Sequence, residues 1–376
     1  MIPLNDLSRR FQDRIELTDL ISDLVEQGHW IHGKQHQLFE LELAKFLNVA
    51  HVVGVASGTD ALTLALKAAG CVEGSKIITV ANAGGYTSVA GSLLGCEILY
   101  CDIDPKTLLM DERILERMLT RDVQAVVVPH LYGTVAPVSN IVKLCKRLGI
   151  KVIEDCAQAI GAMDSSSFVG SIGDIASFSF YPTKNLGGIG DGGAIATNDS
   201  QLADDVRALR QYGWRREKYK IELRGGWNSR LDEIQAAILR KELTKLHARN
   251  RRRIEIVLRY EAALAGSAIN IVTSPRNGGV CHLAVLELSD QVHRDSFREF
   301  MKQQGIETSI HYPILDTDQP GLLLANQEID IPASISANSR IVSIPLFPEL
   351  EEFEVNAICS SLKKFCLSAS VIESKD

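Results

Sequence analysis

Between residues 52 and about 200 the chain keeps a rhythm that few folds satisfy. Short apolar runs suited to strands fall at 52–56, 76–80, 97–101, 124–129, 150–154, 174–180 and 193–197. Amphipathic helical patterns fill most of the gaps, at 59–69, 86–94, 111–120 and 139–148. In the last of these, Ile141, Leu144, Cys145 and Leu148 share one face. Strands alternating with helices predict a mainly parallel sheet covered on both sides, an α/β architecture. The last two strands are joined by a loop alone, which leaves room for an antiparallel member.

Outside that rhythm the pattern changes. Residues 10–27 read as an amphipathic helix closed by Gly28, and 35–47 as a second one ending at Asn48. A long helical region spans about 200–265, interrupted around Gly225, Gly226 and Trp227. After about 268 the expectation is a strand at 280–288, a helix at 292–304, strands at 306–311 and 341–346, and a helix at 350–365. The chain therefore divides into a large α/β domain over 1–250 and a small α+β domain over 251–376. The N-terminal helix has the option of packing on the small domain. The tail after Leu367 reads as polar and frayed. The cluster Arg249, Arg251, Arg252 and Arg253 reads as a solvated helix face.

Composition excludes several function classes. Net charge is −7 with no basic stripe, so no nucleic-acid partner is expected. No apolar stretch reaches about 18 residues, so no membrane span is expected. The eight cysteines form no Cys-x-x-Cys pair and several sit in apolar runs, which suits reduced thiols in a cytoplasmic protein. The start, Met1-Ile2-Pro3-Leu4-Asn5-Asp6, lacks the basic and apolar regions of a signal peptide. No metal-ligand spacing stands out.

Four stretches carry chemistry. At 177–194 an aromatic strand is halted by Pro182, followed by Lys184 and a glycine-dense loop. A lysine held at a strand end loses hydration and its amine pKa falls, which favours Schiff-base chemistry. Ser57, Gly58 and Thr59 follow a strand and open a helix, where unpaired N–H groups suit a phosphate; the same residues also suit an ordinary N-cap. Asp155 ends a near-continuous apolar strand, where open α/β sheets bind ligands. A carboxylate buried there needs a cation, such as a protonated pyridine nitrogen, unless it simply caps the next helix. Gln158 lies one turn on, and Tyr86 follows a strand where a ring can stack on a flat ligand or join the core. Together they fit pyridoxal 5′-phosphate.

The sequence resembles the DegT/StrS group of nucleotide-sugar aminotransferases. The resemblance covers nearly the whole chain and rests on Trp30-Ile31-x-Gly33, SGTDAL at 57–62, EDCAQAIGA at 154–162, SFSFYPTKNLG at 177–187, GDGGA at 190–194, NSRLDEIQAA at 228–237 and HYP at 311–313. It implies a fold-type I pyridoxal-phosphate enzyme with a smaller C-terminal α+β domain. Lys184 would bond the cofactor aldehyde, Asp155 would pair with the ring nitrogen, and Gln158 would lie beside the ring. Gly58, Thr59 and Ser179 would bind the phosphate. Asn228 would reach the cofactor of a neighbouring subunit, making a homodimer the working unit. Tyr181, His311 and Tyr312 would contact the sugar, and Lys218 or Lys220 would cross the dimer interface. The implied reaction takes an amino group from L-glutamate to a nucleotide-linked ketosugar, with 3-keto favoured slightly over 4-keto.

The chain also departs from the family pattern. A Thr followed by an aromatic is usual about two residues before Tyr86, where this chain has Gly84; Tyr86 is expected to take over the stacking in a rearranged loop. Ile160 and Thr317 stand where His is common. Three rivals remain: a sugar dehydratase, disfavoured because Lys184 is present; a regulatory protein of the same fold; and a nicotinamide reductase, prompted by Gly188, Gly190 and Gly192. Those glycines precede a strand, so the dinucleotide fingerprint lacks its context.

Overall fold

The computed structural model describes residues 1–11, 14–273, 275–322 and 329–373. Two helices come first, α1 (Arg14–Gln27) and α2 (Lys34–Leu47). The alternating region follows as β1 (His51–Val55), α3 (Gly58–Ala68), β2 (Lys76–Thr79), α4 (Tyr86–Ser92), β3 (Glu97–Tyr100), α5 (Glu112–Met118), β4 (Val123–Pro129), α6 (Val138–Lys146) and β5 (Lys151–Asp155). A short ribbon, β6 (Met163–Asp164) and β7 (Ser167–Phe168), leads to β8 (Ile175–Ser179) and β9 (Gly193–Thr197). Then come α7 (Ser200–Leu209) and the long α8 (Glu233–Leu264). The remainder holds β10 (Asn270–Ile271), β11 (Ala284–Glu287), α9 (Gln291–Gln303), α10 (Pro332–Arg340), β12 (Ile341–Ile344) and α11 (Glu352–Glu373).

The large sheet has the order β1-β9-β8-β5-β4-β2-β3. Its pairs are parallel from β8 through β5, β4 and β2 to β3, and β9 runs antiparallel to both β8 and β1. The antiparallel member foreseen between the last two strands is therefore β9. Apolar side chains on both faces explain the arrangement: Val152 and Ile153 of β5, and Val126 and Val127 of β4, are buried against helices on either side. Helix α3 buries Ala61, Leu62, Leu64, Ala65 and Leu66 on the sheet. Its start is capped by Ser57, whose Oγ accepts from Asp60 N at 3.1 Å.

Four expectations need correction. The break in the long helical region runs from 210 to 232, because Gly213 (φ 80°) and Gly225 (φ 78°) turn the chain through conformations that helices exclude. Residues 306–311 form isolated bridges, Ile2 with Ile306 and Ser309 with Ser343, rather than a strand. The small sheet is β10-β11-β12, with β11 and β12 antiparallel. The arginine cluster is a solvated face only in part: Arg251 is exposed, but Arg253 is buried and donates to the carbonyls of His282 and Leu346, while Arg249 pairs with Glu242 and Glu349. Finally, α11 continues to Glu373, past the expected frayed start of the tail; residues 374–376, like 12 and 13 of the first predicted helix, lie outside the described residues.

Candidate active site

The sheet brings the carboxyl ends of its central strands to one edge. Pro129 of β4 pairs with Asp155 of β5, Asp155 with Ser177 of β8, and Ser179 with Gly193 of β9. Beside this edge lies a cavity of about 460 Å³, within the range of small-molecule sites. Eleven of the fourteen predicted site residues line it: Ser57, Gly58, Thr59, Tyr86, Asp155, Gln158, Ser179, Tyr181, Lys184, His311 and Tyr312. Lys218, Lys220 and Asn228 do not. All three are exposed, on the 210–232 segment that separates α7 from α8.

Lys184 sits in a tight loop after β8. Its own N–H bonds Tyr181 O at 2.8 Å, and Gly188 N returns to Phe180 O at 2.8 Å. Arg10, far away in sequence, clamps the loop from outside: Nη1 donates to Pro182 O at 2.5 Å and to Lys184 O at 3.1 Å, while Nε pairs with Glu242 at 3.3 Å. Gly187 is required at this clamp, since a Cβ there would lie 2.6 Å from Pro182 O and 2.7 Å from Arg10 Nη1. Burial pushes the Lys184 amine down to about 8, against the opposing pull of Asp155.

Asp155 is buried, and among the described residues its carboxylate has one hydrogen-bond donor, Ala157 N at 3.0 Å. Burial pushes its carboxyl above the usual range, with Ala157 N and the Lys184 charge opposing. A buried carboxylate with so few partners is matched by a cation entering the cavity. Across the cavity, the start of α3 meets the end of β8 closely. A Cβ on Gly58 would stand 2.6 Å from Ser179 Cβ, so only glycine lets the Ser57–Thr59 turn and Ser179 form one cradle. Helix N-terminal N–H groups and hydroxyls there suit a phosphate. An amine with a lowered pKa, a carboxylate short of a cation and an anion cradle in one cavity fit pyridoxal phosphate.

Sequence reasoning missed His130, Thr183, Asp191, His282 and Leu283, which also line the cavity. His130 follows β4 as Asp155 follows the apolar run of β5, so the same strand-end signal points to it. His130 Nδ1 accepts from Ala136 N at 3.1 Å, which leaves the Nε2 proton for Glu154 at 3.1 Å. His282 comes from just before β11, and its Nδ1 meets Asn185 Oδ1 at 2.9 Å. No local signal links it to Lys184. His130, Glu154 and Cys156 have ligand atoms within 4.8 Å of one another. The Glu154 oxygens, however, already accept from three backbone N–H groups and His130, so this is a structural knot and not a metal site.

Comparison with known proteins agrees with this geometry. The model of the DegT/DnrJ/EryC1/StrS aminotransferase family matches residues 12–363. A dTDP-3-amino-3,6-dideoxy-alpha-D-galactopyranose transaminase of Aneurinibacillus thermoaerophilus is 37% identical over 369 residues, 97% of this chain and 99% of that one. A protein of Geobacillus stearothermophilus described as a pleiotropic regulatory protein is 34% identical over 369 residues, covering 97% and 98%. Among solved structures, DesV of S. venezuelae, in complex with a ketimine intermediate, matches with a TM-score of 0.92 at 33% identity, over 97% of this chain and 98% of that one.

Proposed function

The chain belongs to the DegT/DnrJ/EryC1/StrS aminotransferase family, and we propose that it transfers an amino group from L-glutamate to a nucleotide-linked ketosugar with pyridoxal 5′-phosphate as cofactor. The observation that carries this reading is the shared cavity of Lys184, with its amine held near 8, and Asp155, a buried carboxylate short of a cation. When bound, the cofactor supplies an aldehyde for amines and an electron-poor ring that accommodates the electron pair released at a neighbouring carbon. Asp155 would keep a proton on the ring nitrogen. The Ser57–Thr59 turn and Ser179 would hold the phosphate, and Gln158 would lie beside the ring.

Lys184 does the proton work. As a free amine its Nζ would hold the cofactor at the aldehyde, and once the glutamate amine takes that place Nζ would be the base for the proton on the glutamate α-carbon. One water would supply the keto oxygen with which glutamate leaves as 2-oxoglutarate, its nitrogen staying in the site, and the later condensation with the ketosugar would give one water back. The ketosugar then enters, accepts the nitrogen at its keto carbon by the same steps reversed, and leaves as an aminosugar. Two half-reactions sharing one site give ping-pong kinetics.

The finer assignments follow from the same reading. Tyr181, His311 and Tyr312 face the sugar. The working unit is a cytoplasmic homodimer, in which Asn228 and Lys218 or Lys220 serve the partner's cavity; their exposure away from their own cavity supports this. So do the exposed apolar residues Trp30, Ile31, Tyr219 and Ile221. All eight cysteines are free thiols. No helix among the described residues is long and apolar enough to cross a membrane. Residues 1–250 form the larger domain, which supplies Lys184, Asp155 and the phosphate cradle, and 251–376 the smaller one, which adds His282, His311 and Tyr312 to the cavity. Amination at C3 is favoured over C4 by the HYP run and the 212–219 segment, and by the 3-amino sugar named for the Aneurinibacillus relative.

The test compares the parent with Lys184→Ala. Glutamate should shift the cofactor absorbance of the parent, and the parent should aminate a panel of thymidine-, uridine- and guanosine-linked 3-keto and 4-keto sugars. NMR then locates the new amine. The variant should lose transfer by a factor of at least about 10³, the scale of losing an essential proton-transfer group. Equal rates in both proteins would overturn the mechanism. A parent with no glutamate-dependent shift would favour a regulatory role.

A further inference from the structure

Gly84 lies in the loop between β2 and α4, and the space that a side chain there would need is filled from another segment. Gly84 adopts φ 80°. A Cβ built on it would lie 2.9 Å from Cδ1, Cε1 and Cε2 of Tyr312 at once, which sets it over the face of that ring. Gly84 itself does not line the cavity, whereas Tyr312 does. The Tyr312 ring therefore stands between the Gly84 backbone and the cavity.

The ring and the segment that carries it are tied down at several points. Gln158 Nε2 donates to Tyr312 Oη at 2.9 Å, and Gln158 Oε1 is fixed by Tyr132 N at 2.7 Å. Tyr132 Oη donates to His311 O at 2.7 Å, which anchors the residue before it. Downstream, the Asp316 carboxylate accepts from Gly85 N at 2.7 Å and Ser88 Oγ at 2.5 Å, and Asp316 N donates to Ala81 O at 2.8 Å. These bonds lash the 311–316 segment to the loop between β2 and α4. Tyr86 meets Tyr312 edge to face, with centroids 5.9 Å apart at 81°, shares a side-chain hydrogen bond with it, and is itself 46% exposed.

We propose that Tyr312, admitted by Gly84, is the ring that packs on the face of the cofactor, and that Tyr86 buttresses Tyr312 instead of stacking on the ligand. This rests on the function proposed above and changes one assignment within it. Tyr312 becomes a cofactor-positioning residue, and Gly84 the vacancy that admits it.

Pyridoxamine 5′-phosphate is the probe, because it has no aldehyde and reports packing without a bond to Lys184. Its affinity is measured by fluorescence titration, and the circular dichroism of its ring band reports its neighbours. Tyr312→Leu should weaken binding about five- to tenfold and reduce the band, as expected for losing one well-packed aromatic contact. Tyr312→Phe, which keeps the ring, should stay within about twofold of the parent, and Tyr86→Leu, which removes only the buttress, should lose clearly less than Tyr312→Leu. Gly84→Ala should behave like Tyr312→Leu, since its Cβ displaces the ring; thermal melts confirm that each variant folds. A Tyr86→Leu loss equal to or greater than that of Tyr312→Leu overturns the proposal, as does parental affinity in Tyr312→Leu. A parent that binds no pyridoxamine phosphate overturns the proposed function itself, and is told apart by failing before any variant is compared.

Discussion

Glu154 and Asp155 are neighbours in sequence, both buried and both acidic, yet they serve opposite ends. Glu154 lies behind the sheet edge with a full complement of donors: Gly170 N and Ile172 N at 2.8 Å, Gly173 N at 2.7 Å and His130 Nε2 at 3.1 Å. Burial alone would push its carboxyl up; the His130 and backbone bonds outweigh that and hold it below the usual range. Asp155 has one backbone donor, and burial wins. Successive strand residues face opposite sides, so one carboxylate became a structural knot while the other was left facing the cavity. Among buried carboxylates, scarcity of protein partners is the mark of one that waits for a ligand.

The strongest challenge to this contrast is Asp155→Asn. Amine transfer should fall about 10²–10³-fold, the scale of losing one preorganised electrostatic group, with little change in melting temperature. Transfer at the parental rate would put Asp155 in the same structural class as Glu154. The converse is Glu154→Gln, which leaves a cluster of N–H donors facing an amide. It should cost about 1–3 kcal/mol of unfolding free energy in urea titrations, with transfer per folded molecule largely kept. Collapsed transfer in a stable protein would erase the distinction.

A third check follows pH. Lys184 is protonated below its lowered value of about 8 and a free amine above it. Capture of pyridoxal phosphate by the cofactor-free protein, followed by absorbance, should therefore speed up about tenfold between pH 7 and 9 and then level off. A midpoint near 10.5 would mark an ordinary lysine. The smallest effect is expected at Ser57, which faces the cavity but also caps α3. Ser57→Ala should cost about 1 kcal/mol of stability, seen in thermal unfolding without cofactor. No loss would mean that Ser57 serves the ligand alone.

The large sheet was legible because its signal is local. Each apolar run and each amphipathic helix announces itself within a dozen residues, and strand ends marked Asp155 and Lys184. Distant contacts left less trace. The pairing of Ser309 with Ser343 and of Ile2 with Ile306 uses single residues that carry no strand pattern of their own. Arg253 looked solvated because its acceptors, His282 O and Leu346 O, lie far along the chain. The Gly84 departure was visible in the sequence, but its consequence depends on Tyr312, more than two hundred residues later. His282 was missed for the same reason.

The Arg10 clamp bears on when the protein becomes competent during its synthesis. Arg10 leaves the ribosome early, but the carbonyls it grips at Pro182 and Lys184 and its partner Glu242 appear much later. The cavity itself also needs His282, His311, Ile344 and Leu346. A nascent chain can build most of the parallel sheet from contacts near in sequence, but it holds no finished site until Leu346 has been added. Cofactor capture thus has to wait for residue 346, and a chain stopped before it lacks part of the cavity wall.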